Sequence, residues 1–142
     1  MLIKETKDLI CRYYEECNAI KGNPAKLEAM IDAFFDPDFV GHTPTGDTNF
    51  ERHKQHRAAL YTAFPDLKWT VEDMIAEGAK VAVRFRVCGT QKEAYQGIPP
   101  TERLINVTGV AIYKIAGGKL TEDWAFMDTL GIMTQLGVVP RK

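Results

Sequence analysis

The chain of 142 residues contains no serine. A Ser-His-Asp arrangement is therefore excluded, and any nucleophile would have to be another residue type. Cysteine is scarce: Cys11, Cys17 and Cys88. An odd count without dense spacing argues against a disulfide framework and fits a reducing, cytoplasmic setting. Cys11 and Cys17 are six residues apart, so a helix would not bring them to one face. All three are read as small, buried or half-buried apolar residues. No run of about 18 apolar residues is present to cross a bilayer. The opening "MLIKETKDLICRYY" has no long apolar run and no small-residue cleavage motif, so no leader is expected. Charge of one sign is also missing. Eighteen basic residues face 19 acidic ones, a formal net charge of −1. Such a chain has no basic field to hold a phosphate backbone, and neither nucleic acid nor a membrane is expected as partner.

Histidine is limited to His42, His53 and His56. His53 and His56 lie three apart in "ERHKQH" and could share a helical face. Without a third histidine or a paired carboxylate at fitting spacing they make a poor zinc site, and no metal is expected. "AGGK" (116–119) lacks the strand-to-helix setting of a phosphate loop and reads as a hairpin turn. What the chain does have is ordinary: 45% apolar and 26% charged residues. A single domain of this length buries roughly 68% of its unfolded surface.

The first half reads as helices. Ile3, Leu9, Ile10, Tyr13, Tyr14 and Cys17 form a helical stripe over residues 3–20. "KGNP" (21–24) breaks it, with Asn23 a cap and Pro24 opening the next helix. That helix carries Leu27, Met30, Ile31, Phe34 and Phe35 and stops at "DPDF" (36–39). "VGHTPTGDTNF" (40–50) reads as an irregular loop, and a third helix spans about Asn49 to Phe64.

The second half reads as strands over 67–77, 81–90, 104–115 and 120–128, followed by a short helical turn or irregular tail at 129–137. Val81, Val83, Phe85 and Val87 alternate with Ala82, Arg84, Arg86 and Cys88. Gly109 suggests a bulge or bend. Three helices and then hairpin-joined strands imply an α+β domain with an antiparallel sheet and its helices on one face. The strand at 104–115 is apolar on both faces, so a second copy of the chain is expected to cover the outer one.

In the last strand, "EDWAFMD" (122–128), alternation puts Glu122, Trp124, Phe126 and Asp128 on one face and Asp123, Ala125 and Met127 on the other. A carboxylate in line with a Trp and a Phe is either a strand end emerging into water or an acid set among apolar groups.

The segments "FPDLKWTVEDMIAEGAKVAVRFRVCGT" (64–90), "GIPPT" (97–101), "VTGVAIYKIAGGKLTEDWAFMD" (107–128) and "QLG" (135–137) together resemble the SnoaL-like polyketide cyclases, also called the ester cyclase group. The resemblance covers nearly all of the chain from Phe34 onward. It implies the cone-shaped α+β barrel of the nuclear transport factor 2-like superfamily, a curved, mainly antiparallel sheet around three N-terminal helices with a deep apolar pocket. It also implies an intramolecular aldol condensation of an aromatic polyketide ester or similar apolar carbonyl compound, with no metal or organic cofactor. A non-catalytic ligand-binding dimer, or an isomerase, dehydratase or hydrolase, are the other activities of this cone.

The family's acid/base aspartate near the end of the last long strand falls by position on Asp128, with Asp123 as the competing match. Asp128 is preferred because it shares its face with Trp124 and Phe126, where burial would raise a carboxyl pKa. Its other reading is a helix N-cap for the tail. The family often has a histidine at the place of His42, which could hydrogen-bond a substrate carbonyl; a local turn histidine is the alternative. Arg84 either orients an acidic substrate group or makes a surface ion pair. Trp124, Phe126, Tyr113 and Trp69 are expected as pocket or core lining, and "YQGIPPT" (95–101) as part of the pocket mouth.

Overall fold

The computed structural model describes residues 3–140. Helix α1 (Ile3–Ala19) buries Leu9, Ile10, Tyr13, Tyr14 and Cys17, the stripe anticipated from their spacing. In α2 (Pro24–Phe34) the Asn23 side chain accepts from the backbone N–H groups of Ala25 and Lys26, and Pro24 opens the first turn. Helix α2 then runs without a loop into β1 (Phe35–Thr43), which turns back into β2 (Gly46–Asn49). These two strands replace the expected loop at 40–50. Asn49 caps α3 (Phe50–Ala63) by accepting from the Arg52 N–H. The long strands β3 (Lys68–Glu77), β4 (Lys80–Thr90), β5 (Leu104–Ala116) and β6 (Lys119–Met127) follow, and a fourth helix, α4 (Thr129–Gln135), ends the fold.

The six strands form one mixed sheet in the order β2-β1-β6-β5-β4-β3. All neighbours are antiparallel except β1 and β6, which run parallel. The sheet is open, with β2 and β3 as its edges, and is mixed and mainly antiparallel, as expected for the cone-shaped fold. One face packs on α1, α2 and α3. Val81, Val83, Phe85 and Val87 point to that face, as do Ile105, Val107, Ala111, Tyr113 and Ile115 of the neighbouring strand.

Two local devices shape the sheet. β3 bulges between Val71 and Asp73, which is why its apolar alternation fails in mid-strand. Gly109 makes no bulge: it pairs in register with Phe85 and Met127. Its role is space, since an added Cβ would lie 2.5 Å from Phe85 Cζ. The Phe85 ring therefore lies across the strand where a side chain would otherwise stand. β5 and β6 are joined by Gly117 and Gly118, both at positive φ, as a two-residue hairpin turn demands.

The loop after β4 hangs on Gln91, whose side chain is fully buried. Gln91 Oε1 accepts from the Thr101 N–H and hydroxyl, and Nε2 donates to the Ile98 carbonyl. Tyr95 packs on Phe64, so this loop sits beside the end of α3. Of the cysteines, Cys17 is buried and Cys88 half-buried, whereas Cys11 is exposed, contrary to the expectation for it. Among the described residues no helix is long and apolar enough to cross a membrane.

Candidate functional site

The alternation in "EDWAFMD" holds, but the interior is on the side of Asp123. Asp123 is 5% exposed, while Phe126 on the opposite face is 51% exposed. The helices explain the inversion. Tyr13, Tyr14 and Tyr113 already crowd the inner side with ring centroids 5.2 to 6.4 Å apart. Ala125, two residues on and also on the inner side, pairs in register with Ala111. Asp128, expected among apolar groups, lies past the end of β6. It is exposed and its Oδ1 accepts from the Gly131 N–H, capping α4.

Asp123 sits where β1 and β6 run parallel, with Gly41 as its register partner. A Cβ on Gly41 would be 3.1 Å from Asp123 Oδ1 and 2.7 Å from Thr48 Cγ2, so the glycine opens the room the carboxyl occupies. Across β6 the partner is Tyr113, whose hydroxyl shares a 2.7 Å hydrogen bond with that of Tyr14. Among the described residues no donor hydrogen-bonds the Asp123 carboxyl. Burial accordingly pushes its pKa up, to about 7, against the pull of the Arg57 and His42 charges and with a further push from Glu122. The phenols of Tyr14 and Tyr113 are likewise raised by burial, so they remain neutral O–H groups.

Helix α3 supplies a second part of the interior. His53, Arg57 and Tyr61 are spaced four apart and lie along one face. Arg57 Nη1 donates to the Tyr13 hydroxyl at 2.5 Å and Nη2 to Cys17 Sγ at 3.2 Å. Its guanidinium stands 5.3 Å from the centre of the Trp69 ring. Trp69 is buried, and its indole N–H donates to the Tyr61 hydroxyl. The His53 ring packs between Phe35 and Phe39, and burial lowers its pKa to about 3. His56, the other histidine of "ERHKQH", is exposed, so the two do not face one space. Among the described residues no group of three or more His, Cys, Asp or Glu side chains could hold a metal ion.

His42 belongs to β1 and not to a loop, and pairs in register with Trp124. It faces the outer side of the sheet. Its ring stacks on Trp124 at 5.1 Å, with Nδ1 2.8 Å from Asp47 Oδ1 and Nε2 2.6 Å from Glu122 Oε2. The hydrogen bond to Glu122, and then that to Asp47, raise its pKa. Arg84 is also on the outer face, 3.5 Å from Glu72, which Arg86 binds as well. Tyr113 and Trp69 are thus interior as expected, whereas Trp124, Phe126, Arg84 and His42 stand on the other side of the sheet. Arg57 was not singled out in the sequence, and His53 was weighed there only as a metal ligand with His56. The four-residue spacing of His53, Arg57 and Tyr61 was the available signal.

An open six-stranded mixed sheet with helices packed on one face is the nuclear transport factor 2-like α+β fold. Residues 9–136 match the family model described as SnoaL-like polyketide cyclase, and the chain belongs to that family. Among solved structures, AclR, a proposed hydroxylase from Streptomyces galilaeus, superposes with a TM-score of 0.89 at 23% identity, over 99% of this chain and 86% of that one. IdmH, a proposed polyketide cyclase from Streptomyces antibioticus, gives 0.76 at 27% identity, over 94% and 99%. A SnoaL-like polyketide cyclase from Agrobacterium tumefaciens gives 0.72 at 18% identity, over 93% and 98%. No curated protein matches.

Proposed function

We propose that this protein is a cofactor-independent acid/base enzyme that closes a ring by intramolecular aldol condensation on a flat, apolar carbonyl compound of polyketide type, with Asp123 as the acid/base. The observation that carries this reading is a buried carboxyl with no hydrogen-bond donor, held near neutrality. Such a group is half ionised at working pH, the condition a general base and its conjugate acid both need. The Asp123 carboxylate takes a proton from a carbon flanked by carbonyls. The resulting enolate attacks a second carbonyl of the same molecule and forms the new C–C bond. The alkoxide so made recovers the proton from the Asp123 carboxylic acid, which restores the starting state. Tyr14, Tyr113 and Trp69 would hold the flat substrate, and the Arg57 charge would favour the enolate over the neutral carbonyl.

Asp123→Asn is expected to lower kcat by at least about 100-fold with an unchanged circular dichroism spectrum. Asp128→Ala should keep turnover within about twofold and cost roughly 1 kcal/mol of stability through the lost cap. Full activity in Asp123→Asn would refute the assignment. The interlocked aromatic rings of the interior favour one other reading, a ligand-binding protein without a reaction. In that case Asp123→Asn changes ligand affinity and no substrate is turned over.

The protein is further proposed to act as a homodimer. Val110, Ile112 and Phe126 leave apolar surface on the outer face, rimmed by the Arg84, Arg86 and Glu72 ion pairs. A second copy covering this face would bury the apolar centre and leave the charged rim in water.

A further inference from the structure

His42 makes two contacts that a neutral imidazole cannot satisfy together. Its Nδ1 lies 2.8 Å from Asp47 Oδ1 and its Nε2 2.6 Å from Glu122 Oε2. A neutral ring carries one N–H, so one of the two contacts would set a lone pair against a carboxylate oxygen. Both are hydrogen bonds only when the ring is an imidazolium. The three groups come from three neighbouring strands. Asp47 of β2 is the register partner of His42 in β1, and Glu122 stands on β6. The stack on Trp124 fixes the plane of the ring.

This clamp lies back to back with the interior carboxyl. Gly41 and His42 are neighbours in β1, and Glu122, Asp123 and Trp124 are consecutive in β6. Gly41 partners Asp123 and His42 partners Trp124. One layer of backbone thus separates the cluster on the outer face from Asp123 on the inner face, and Gly41 puts no side chain beside the carboxyl. Two further charges border the clamp. Lys80 of β4 stands 5.2 Å from the centre of the Trp124 ring, and Lys114 of β5 is the register partner of Glu122. On the inner side Asp123 feels the charge of Arg57 from α3 and lies near the neutral hydroxyls of Tyr14 and Tyr113.

We propose that His42 is a positioning residue for Asp123: held as an imidazolium between Asp47 and Glu122, it sets, through one layer of the sheet, the charge against which the Asp123 carboxyl ionises. The inference rests on the reading of Asp123 as the acid/base and deepens it by naming what regulates that group. With the ring charged, the cation offsets one of the two carboxylates. Without it, both act on Asp123 and disfavour its ionised form. The electrostatics agree in sign: the His42 charge favours the Asp123 carboxylate and Glu122 opposes it. A proton held on the outer face thus keeps Asp123 available as a base on the inner one.

The test is a carboxyl-carbon NMR titration of the whole Asp-labelled protein, with the His42 ring followed in parallel. His42→Gln keeps a hydrogen bond and loses the charge. It should move the Asp123 midpoint up by about 0.3 to 1 pH unit, the coupling of two charges a sheet's thickness apart. Adding Glu122→Gln removes one carboxylate and should bring the midpoint back toward the native value. A merely structural role predicts otherwise, since two disruptions of the clamp would add. The same coupling is read from the other side in Asp123→Asn, where the His42 midpoint should fall. If His42→Gln does not fold, that reciprocal shift carries the test. An Asp123 midpoint unmoved or lowered in His42→Gln, a double variant no closer to native than the single one, or a His42 midpoint unmoved in Asp123→Asn would overturn the proposal. The enzyme reading fails separately: full turnover in Asp123→Asn refutes it whatever the midpoints do.

Discussion

At the scale of the residue, the decisive fact is which side of β6 faces inward. The period of two was legible and placed Asp123 opposite Trp124 and Phe126. Hydrophobicity alone then favoured the wrong side, because the space inside was already taken by tyrosines from α1 and β5. Asp123 carries a measurable signature. A carboxyl whose folded pKa is raised to about 7 stabilises the fold fully below its unfolded value, and that contribution is lost as pH rises toward 7. A shift of this size corresponds to about 4 kcal/mol between the two ends of the window. Thermal melts of Asp123→Asn should therefore show a higher Tm than the native protein at pH 8 and a much smaller difference at pH 4. A variant that melts lower at pH 8 would mean that the carboxylate is stabilised in the fold.

At the scale of the element, the helix caps and the long strands were readable because their signals are local. Asn23, Pro24 and Asn49 stand where capping chemistry puts them, and Val81 to Val87 alternate without interruption. β1 and β2 were not readable. Pro37, Gly41 and Gly46 break any alternation, and β1 is held by a parallel partner some 80 residues away, whose register shifts between Phe35 and Val40. The same irregular strand contributes the glycine beside Asp123. Gly41→Ala would push a methyl group into Thr48, Phe39 and Asp123. It is expected to destabilise the fold by about 1–3 kcal/mol, by overpacking. Turnover should fall as well, since the added methyl group would crowd the Asp123 carboxyl. A melt unchanged within about 0.5 kcal/mol would show that β1 yields there.

At the scale of the whole molecule, the apolar character of β5 on both faces forecast an outer surface in need of cover, and the structure leaves Val110, Ile112 and Phe126 exposed on it. Composition could not show that Trp124 and His42 belong to that same outer side. That required the sheet order, in which β1 inserts next to β6. Phe126→Glu places a charge at the centre of the proposed dimer interface. Sedimentation equilibrium should find the native chain as a dimer and this variant as a monomer with its secondary structure intact. A native monomer, or a variant that still dimerises, would exclude this face.

The central claim is that Asp123 is an unsolvated, undonated carboxyl poised for proton transfer. The most direct measurement is a carboxyl-carbon NMR titration of Asp-labelled protein, with Asp123→Asn to assign the resonance. A midpoint near pH 7 for Asp123 is the result expected. A midpoint near the ordinary aspartate value of about 3.9 would mean that water or a donor reaches the group in solution, and the acid/base reading would fall with it.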